Sequence, residues 1–353
     1  MRVLVIGGTG FIGPYVVRCL YNMGHEISVF HRGQTEADLP KEIRHIHNAS
    51  FNLGERRQFN HFKDDFKRLA PDVVLDMIPM TQQDAQALMI TFSGIARRVI
   101  ALSSQDVYLA YSKLKGSESG PEETTPIPEG APLRRRLYPY RNEPPRDMED
   151  PQKWIDDYDK ILVERVVMSY PDLPGTILRL PMVYGPGDKQ HRLFEYLKRM
   201  DDRRPVILLD KGLAQWRWTR GYVENVASAI ALVVRDESSA GRIYNLGEVE
   251  ALPETGWVEA IGKAAEWNGE IVVVPTGCLP AHLHPNINTR QHMVVDTTRI
   301  REELGYRENV DRDEALRRTV HWERTHPPQE PDLTMFDYAS EDAVLAELTQ
   351  YDV

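Results

Sequence analysis

The sequence predicts an α/β protein: a doubly wound parallel sheet with a smaller C-terminal α/β domain. Three features lead there. Short apolar, partly β-branched runs alternate with segments of helical periodicity through the first half of the chain. The first run, residues 3–6, stops at a glycine cluster and is followed at once by a helical pattern. The length, 353 residues, is enough to bury one large core or two smaller ones. Strands that alternate with helices pair in parallel and are covered on both faces, and ligands then sit at the carboxyl ends of the strands.

In chain order, residues 15–20 read as the first helix and 26–30 and 43–46 as the next two strands. An amphipathic helix follows at 59–69, a buried strand at 71–78, a helix at 82–92 and a strand at 98–104. Residues 111–151 break the pattern with proline, glycine and charge, including the run Arg134, Arg135 and Arg136. Long irregular segments are functional loops or linkers, and this one is expected to be a lid insertion. Its arginines either bind an anion or pair with acids. Residues 155–168 read as one continuous helix. Strands at 176–180, 206–209, 241–247 and 271–274 then alternate with helices at 191–200, 223–234, 257–266, 297–304 and 312–325. The first domain is expected over 1–175 plus about 215–248, and the second over 176–214 plus 249–326. Residues 327–353 read as an acidic tail, with a helix at 340–348.

The turn after the first strand holds Gly7, Gly8, Thr9, Gly10, Phe11, Ile12 and Gly13. Gly8, Gly10 and Gly13 satisfy G-x-G-x-x-G between a strand and a helix. One glycine permits a tight turn, one lets a pyrophosphate reach the main chain, and one lets helix and strand pack closely. Free N–H groups at the helix start then face the phosphates. The chain is therefore expected to bind NAD(P). At the end of the second strand, where an acid would hold the ribose 2′-hydroxyl of NAD, stand His31 and Arg32. A cation suits a 2′-phosphate, so NADP is expected over NAD. Ile78, Pro79 and Ser103 share the same rim.

The net charge of −10 disfavours nucleic acid and anionic membrane as general partners. Two cysteines, Cys19 and Cys278, provide neither a disulfide framework nor a metal cluster, and no metal site is expected. No apolar run approaches a membrane span and no signal-peptide core precedes the first strand, so a cytoplasmic protein is expected. The expected partners are a small-molecule substrate and a second copy of the chain in a homodimer.

Further landmarks follow in order: Ser104, Gln105, Asp106 and Tyr108; Lys160 with Glu164; Arg179, Pro181 and Tyr184; Tyr222 to Ala227; Asn245 and Gly247; and Gly305. With the glycine turn, these make the chain resemble the extended short-chain dehydrogenases/reductases of the NAD-dependent epimerase/dehydratase family, from residue 1 to about residue 325. The resemblance implies a dinucleotide domain of Rossmann type, a smaller substrate domain, and hydride transfer at a secondary alcohol or sugar-like substrate. It implies Ser104 as the catalytic Ser/Thr at the substrate oxygen, Lys160 on the nicotinamide ribose, and Pro181 beside the cofactor. Asp106 falls where sugar dehydratases of the family carry a base. Gln105 falls where some carry an acid, and an amide cannot take that part.

The family's Tyr-x-x-x-Lys pair is incomplete. Asp156 stands four residues before Lys160, and is expected to form an ion pair with it. On a continuous helix Tyr158 lies roughly 200° from Lys160 and points elsewhere. A candidate replacement is Tyr140, or Tyr138, in the 111–151 segment, with its hydroxyl pKa lowered by neighbouring arginines; the alternative is that both rings only anchor the segment. Met182 and Trp218 stand where nucleotide-sugar enzymes of the family carry Asn and Arg, so nucleotide sugars are expected to bind poorly. The His-Arg-Gly turn and the missing Tyr are also similar to chloroplast stem-loop RNA-binding relatives. The alternative to an enzyme is therefore a catalytically reduced NAD(P)-binding sensor or an RNA-binding protein of the same fold.

Overall fold

The computed structural model describes residues 1–35, 37–48, 59 and 61–351. Seven parallel strands form the main sheet. They are β1 (Arg2–Ile6), β2 (Glu26–His31), β3 (Arg44–His47), β4 (Val73–Asp76), β5 (Arg98–Ser104), β6 (Gly175–Leu180) and a tenth strand, β10 (Ile243–Asn245), in the order β10-β6-β5-β4-β1-β2-β3. β1 is central because it is apolar on both faces. Val3 and Val5 enter one core, and Leu4 and Ile6 enter the other, as the two-residue period of a strand requires.

Helix α1 (Gly13–Asn22) covers the first face together with the later helix α8 (Val223–Arg235). Helices α2 (Lys63–Leu69), α3 (Gln82–Phe92) and α5 (Lys160–Val167) cover the second. α3 opens with a capping box in which Thr81 and Asp84 satisfy each other's backbone N–H groups. The 59–69 helix is shorter than expected, beginning at Lys63; Asn60, inside the expected range, lies outside the described residues. Between α3 and α5 lies α4 (Leu109–Leu114), in a stretch expected to be irregular in part.

The C-terminal part is built from β7 (Met182–Tyr184) paired with β9 (Arg220–Tyr222), and β8 (Val206–Asp210) paired with β11 (Glu270–Val274). Around them lie α6 (Phe194–Asp201), α7 (Lys211–Gln215), α9 (Glu254–Ala265), α10 (Thr298–Leu304), α11 (Arg312–Thr325) and α12 (Tyr338–Tyr351). β6, which was expected to open the second domain, hydrogen-bonds along β5 in the main sheet. Among the described residues no helix is long and apolar enough to cross a membrane.

The segment expected to be an acidic tail is docked. Glu341 is buried and receives two hydrogen bonds from the equally buried Arg199 of α6, at 2.8 and 3.2 Å. Val344, Leu345 and Leu348 pack against Leu208, Val274 and Leu279. Charge in the sequence concealed this, because the acids meet Arg199 and Arg204 across a fold contact. Residues 352 and 353 lie outside the described residues. Removing one partner of a buried ion pair costs about 3–5 kcal/mol. Glu341→Ala is accordingly expected to lose stability of that order in urea unfolding, and Asp342→Ala, on an exposed pair, less than about 1 kcal/mol.

Candidate active site

The site begins with a helix that starts later than its sequence pattern suggests. Residues expected to form one helix from 155 to 168 are a 3₁₀ turn (Lys153–Asp157), an extended Tyr158, and then α5 from Lys160. Asp159 causes the break. Its side chain accepts from Ile161 N at 2.9 Å as the N-cap. It also receives Tyr138 N at 2.7 Å and the buried Arg134 guanidinium at 3.0 and 3.3 Å. Its own N–H donates to Met80 O, and Tyr158 bridges Thr81.

Tyr158 is thereby taken off the helix, and its ring is not carried around to the far side. Its hydroxyl donates to Asp106 Oδ2 at 2.8 Å. Lys160, on the first turn, donates from Nζ to Pro79 O at 2.7 Å and Leu102 O at 3.0 Å. Asp156 does not pair with it; its carboxylate is held by Arg146 at 2.8 Å and Lys153 at 2.9 Å, contacts that keep its pKa low.

Tyr158 opens onto a cavity of about 550 Å³ at the carboxyl end of β5. Ser104, Gln105 and Asp106 line it together with Tyr111 and Tyr140, and with the more apolar Leu180, Pro181, Met182, Trp218 and Met293. Ser104 Oγ accepts from Asp106 N at 3.1 Å, which fixes the 3₁₀ turn after β5. Burial raises the Asp106 pKa, against the opposing pull of Arg134, Tyr158 and Lys160. Burial and then the Asp106 carboxylate raise that of Tyr158.

Tyr140 lies in the cavity wall, with its ring 5.3 Å from Tyr158 and its hydroxyl 3.4 Å from that of Tyr111. Its pKa is raised, first by burial and then by Asp106, where lowering by arginines was expected. The arginines are engaged elsewhere. Arg134 holds Asp159, Arg136 pairs with Glu143, and Arg141 covers the Tyr138 ring and pairs with Asp157. The segment expected to be a lid is pinned by packing of Ile127, Leu133 and Leu137 against Tyr108, Ile161 and Met293. Arg217 and Arg220, neighbours of Trp218, turn to Ala251 O and Glu254 and leave the cavity wall.

Beneath the cavity runs a buried network. Arg179 makes a two-point contact with Glu164 at 2.9 and 2.7 Å and donates to the Tyr108 hydroxyl, which donates to Asn245. Ser103, expected at the cofactor, instead donates to Glu164 at 2.6 Å. The alternation of β5 explains this: Ser104 faces the cavity, so Ser103 faces the helix behind it.

The glycine turn fits a dinucleotide. Gly7 has φ +84 and lies against Ile78, where a Cβ would approach to 2.8 Å. A Cβ on Gly13 would fall 2.5 Å from the Gly8 backbone, so helix and strand meet at van der Waals range. A Cβ on Gly10 would meet nothing within 4 Å, which leaves the side open that a pyrophosphate needs. Ile12 caps α1 without a side-chain hydrogen bond. Gly13 N donates to Gly10 O at 2.9 Å and residue 14 is a proline without an N–H, so the main chain of the glycine turn, more than the first turn of α1, is what faces an anion. Phe11 lies beside Gly187. Thr9 completes the turn. At the end of β2, His31 is buried and bonded to His45 at 2.9 Å, and burial with its histidine neighbours lowers its pKa to about 4. Arg32 has no ion-pair partner among the described residues.

The fold and the glycine turn are those of a dinucleotide-dependent enzyme, and the cavity lies at the end of β5. The model of the NAD dependent epimerase/dehydratase family matches residues 3–129 and 138–247. The chain belongs to that family. A 2′-dehydrokanamycin reductase of Streptomyces kanamyceticus is 28% identical over 296 residues, covering 76% of this chain and 71% of the relative. The chloroplast stem-loop binding protein of 41 kDa b of Arabidopsis thaliana is 21% identical over 276 residues, covering 74% and 63%. A UDP-glucose 4-epimerase of Thermotoga maritima, solved with UDP-glucose, superposes with a TM-score of 0.63 at 19% identity, covering 92% and 99%.

A carboxyl group whose folded pKa is raised contributes stability below its ordinary value of 3.8, and that stability is lost as pH rises through the folded pKa. Asp106→Asn carries no charge to bury. Its stability relative to the parent is expected to improve steadily as pH rises above about 3.8. Paired urea titrations from acid to neutral pH check this, and a flat difference contradicts it.

Proposed function

We propose that the chain is an NAD(P)-dependent oxidoreductase or epimerase-type enzyme acting at a secondary alcohol or ketone of a sugar-like substrate, with Tyr158 at the reacting oxygen. The observation that carries this is the Tyr158 hydroxyl, 2.8 Å from Asp106, in a cavity shared with Ser104. On this reading Tyr158 would take the part of the tyrosine missing from the Tyr-x-x-x-Lys spacing. Met182 and Trp218 in the cavity wall favour a substrate without a nucleotide diphosphate.

Gly7 to Gly13 would hold the pyrophosphate, and Lys160, Ile78, Pro79 and Pro181 would hold the nicotinamide end. When bound, the cofactor supplies or accepts the hydride. The chain's own residues manage the proton. A phenol whose pKa is raised stays protonated, so Tyr158 enters the reaction in its O–H form, as a weaker acid than a group matched to neutral pH. As the carbonyl carbon gains hydride, the Tyr158 O–H bond breaks and its proton passes to the carbonyl oxygen. Ser104 Oγ–H donates to the same oxygen and holds it in place. The phenolate left behind regains a proton from solvent. The arginines at 134 and 136 are engaged by Asp159 and Glu143, which leaves the RNA-binding alternative with less cationic surface.

General acid catalysis contributes about 10²–10⁴-fold. Tyr158→Phe is expected to lose turnover by that factor while binding dinucleotide as the parent does; Tyr140→Phe is expected to keep most of it. Equal losses in both would remove Tyr158 from the assignment. NADP is proposed over NAD because Arg32 is the cation at the end of β2 and His31 is neutral above pH 4. Arg32→Ala is expected to weaken NADP about tenfold or more, the worth of a charge-assisted contact, and to leave NAD unchanged. Titration of both cofactors decides it.

A further inference from the structure

Among the described residues, the cavity lining holds one cation, Arg192, and it is paired with Asp188. Three buried carboxylates near the cavity have a cation of their own: Asp159 has Arg134, Glu164 has Arg179, and Asp156 has Arg146. Asp106 forms no ion pair among the described residues, and its Oδ1 is shielded from water without a hydrogen bond. Arg134 passes close, but it spends Nε on the Asp106 backbone oxygen and its other nitrogens on Asp159 and Arg136 O. Arg192, the cation in the cavity lining, is turned onto Asp188 at 2.6 Å. Lys160 is held by two carbonyls. An uncompensated buried carboxylate is expensive.

The walls agree with a cationic guest. Tyr111, Tyr140 and Tyr158 stand on the Asp106 side of the cavity, and aromatic faces attract ammonium groups. Two more side chains of the lining carry buried polar atoms without partners, Gln105 Oε1 and Trp218 Nε1. Together the three atoms are two acceptors and one donor, matching an amine and hydroxyl groups. A hard divalent ion is a poor fit, since it takes six or more oxygens and Asp106 is the one carboxylate in the lining.

We infer that the substrate is an amino sugar, whose ammonium group is bound by the Asp106 carboxylate between the three tyrosines. This rests on the reading of the cavity as the substrate site of a hydride-transfer enzyme. It also answers a difficulty in that chemistry. Proton donation leaves a phenolate on Tyr158 beside the Asp106 carboxylate, and the substrate's own ammonium would separate these two negative charges. The groups facing Asp106 are Arg134 from the 111–151 segment, Asp159 and Lys160 from the start of α5, and the hydroxyls of Tyr111, Tyr140 and Tyr158.

The test uses the full chain saturated with dinucleotide and two probes of equal size, 2-amino-2-deoxyglucose and glucose. Binding is read at pH 7 by calorimetry and by the fluorescence of the cavity tryptophan. The amine is expected to bind about tenfold or more tighter than the hydroxyl. Asp106→Asn is expected to abolish that preference and to keep dinucleotide affinity. Equal affinity of the two sugars for the parent, or an unchanged preference in Asp106→Asn, overturns the inference. If the amine preference holds while no dinucleotide binds, the hydride-transfer reading fails and the ammonium site stands. If dinucleotide binds and the preference is absent, the reverse is true.

Discussion

Asp159 is the residue on which the site depends. It is fully buried, so its charge must be met from within, and Arg134, Tyr138 N and Ile161 N meet it. Each of those contacts has a structural consequence. The bond to Ile161 N starts α5 at Lys160 and no earlier. The bond to Arg134 ties the proline-rich 111–151 segment to the sheet. The bond to Tyr138 N fixes the path of the chain that brings Tyr140 to the cavity. Asp159 thus sets where the helix begins, what covers it, and which tyrosines reach the cavity.

A second buried carboxylate, Glu164, does for the sheet what Asp159 does for the helix start. Through Arg179, Ser103, Tyr108 and Asn245 it joins α5 to β5, β6 and β10. A network of this kind is satisfied at nearly every atom, and it holds one arrangement of the strand ends. The unsatisfied atoms lie above it. Gln105, Asp106 and Trp218 each keep a polar atom without a partner, and all three side chains line the cavity. The Glu164 network is satisfied, whereas these three side chains of the lining each keep a buried polar atom without a partner.

The tyrosine proposed for the chemistry departs from the family's usual spacing. In Tyr-x-x-x-Lys a regular helix presents both side chains on one face. Here the intervening residues include the helix cap, and the tyrosine reaches the site from an extended residue two positions before the lysine. Lys160 is drawn to two carbonyls, and its ammonium is 5.9 Å from the Tyr158 ring centre. Burial first, and then the Asp106 carboxylate in direct contact, hold Tyr158 in its protonated form.

The strands, the glycine turn and the covering helices were legible in the sequence. They depend on local periodicity, and the apolar pattern of residues 3–6 or 98–104 is the same before and after folding. Residues 82–92 and 312–325 were read to the residue, since caps and apolar spacing there are local signals. The glycine cradle was legible because backbone geometry constrains residue type directly. Tyr158 was not, because residues 155–168 have a plausible helical pattern and what interrupts it is Arg134, 25 residues away. The same is true of Asp156, claimed by Arg146 and Lys153 before Lys160 can compete, and of Glu341, whose partner lies 142 residues earlier. Sequence alone determined which residue types line the strand ends. Which of them face the cavity, and which are spent on one another, was decided by tertiary contacts, since a buried charge takes its partner from whatever the fold brings within reach.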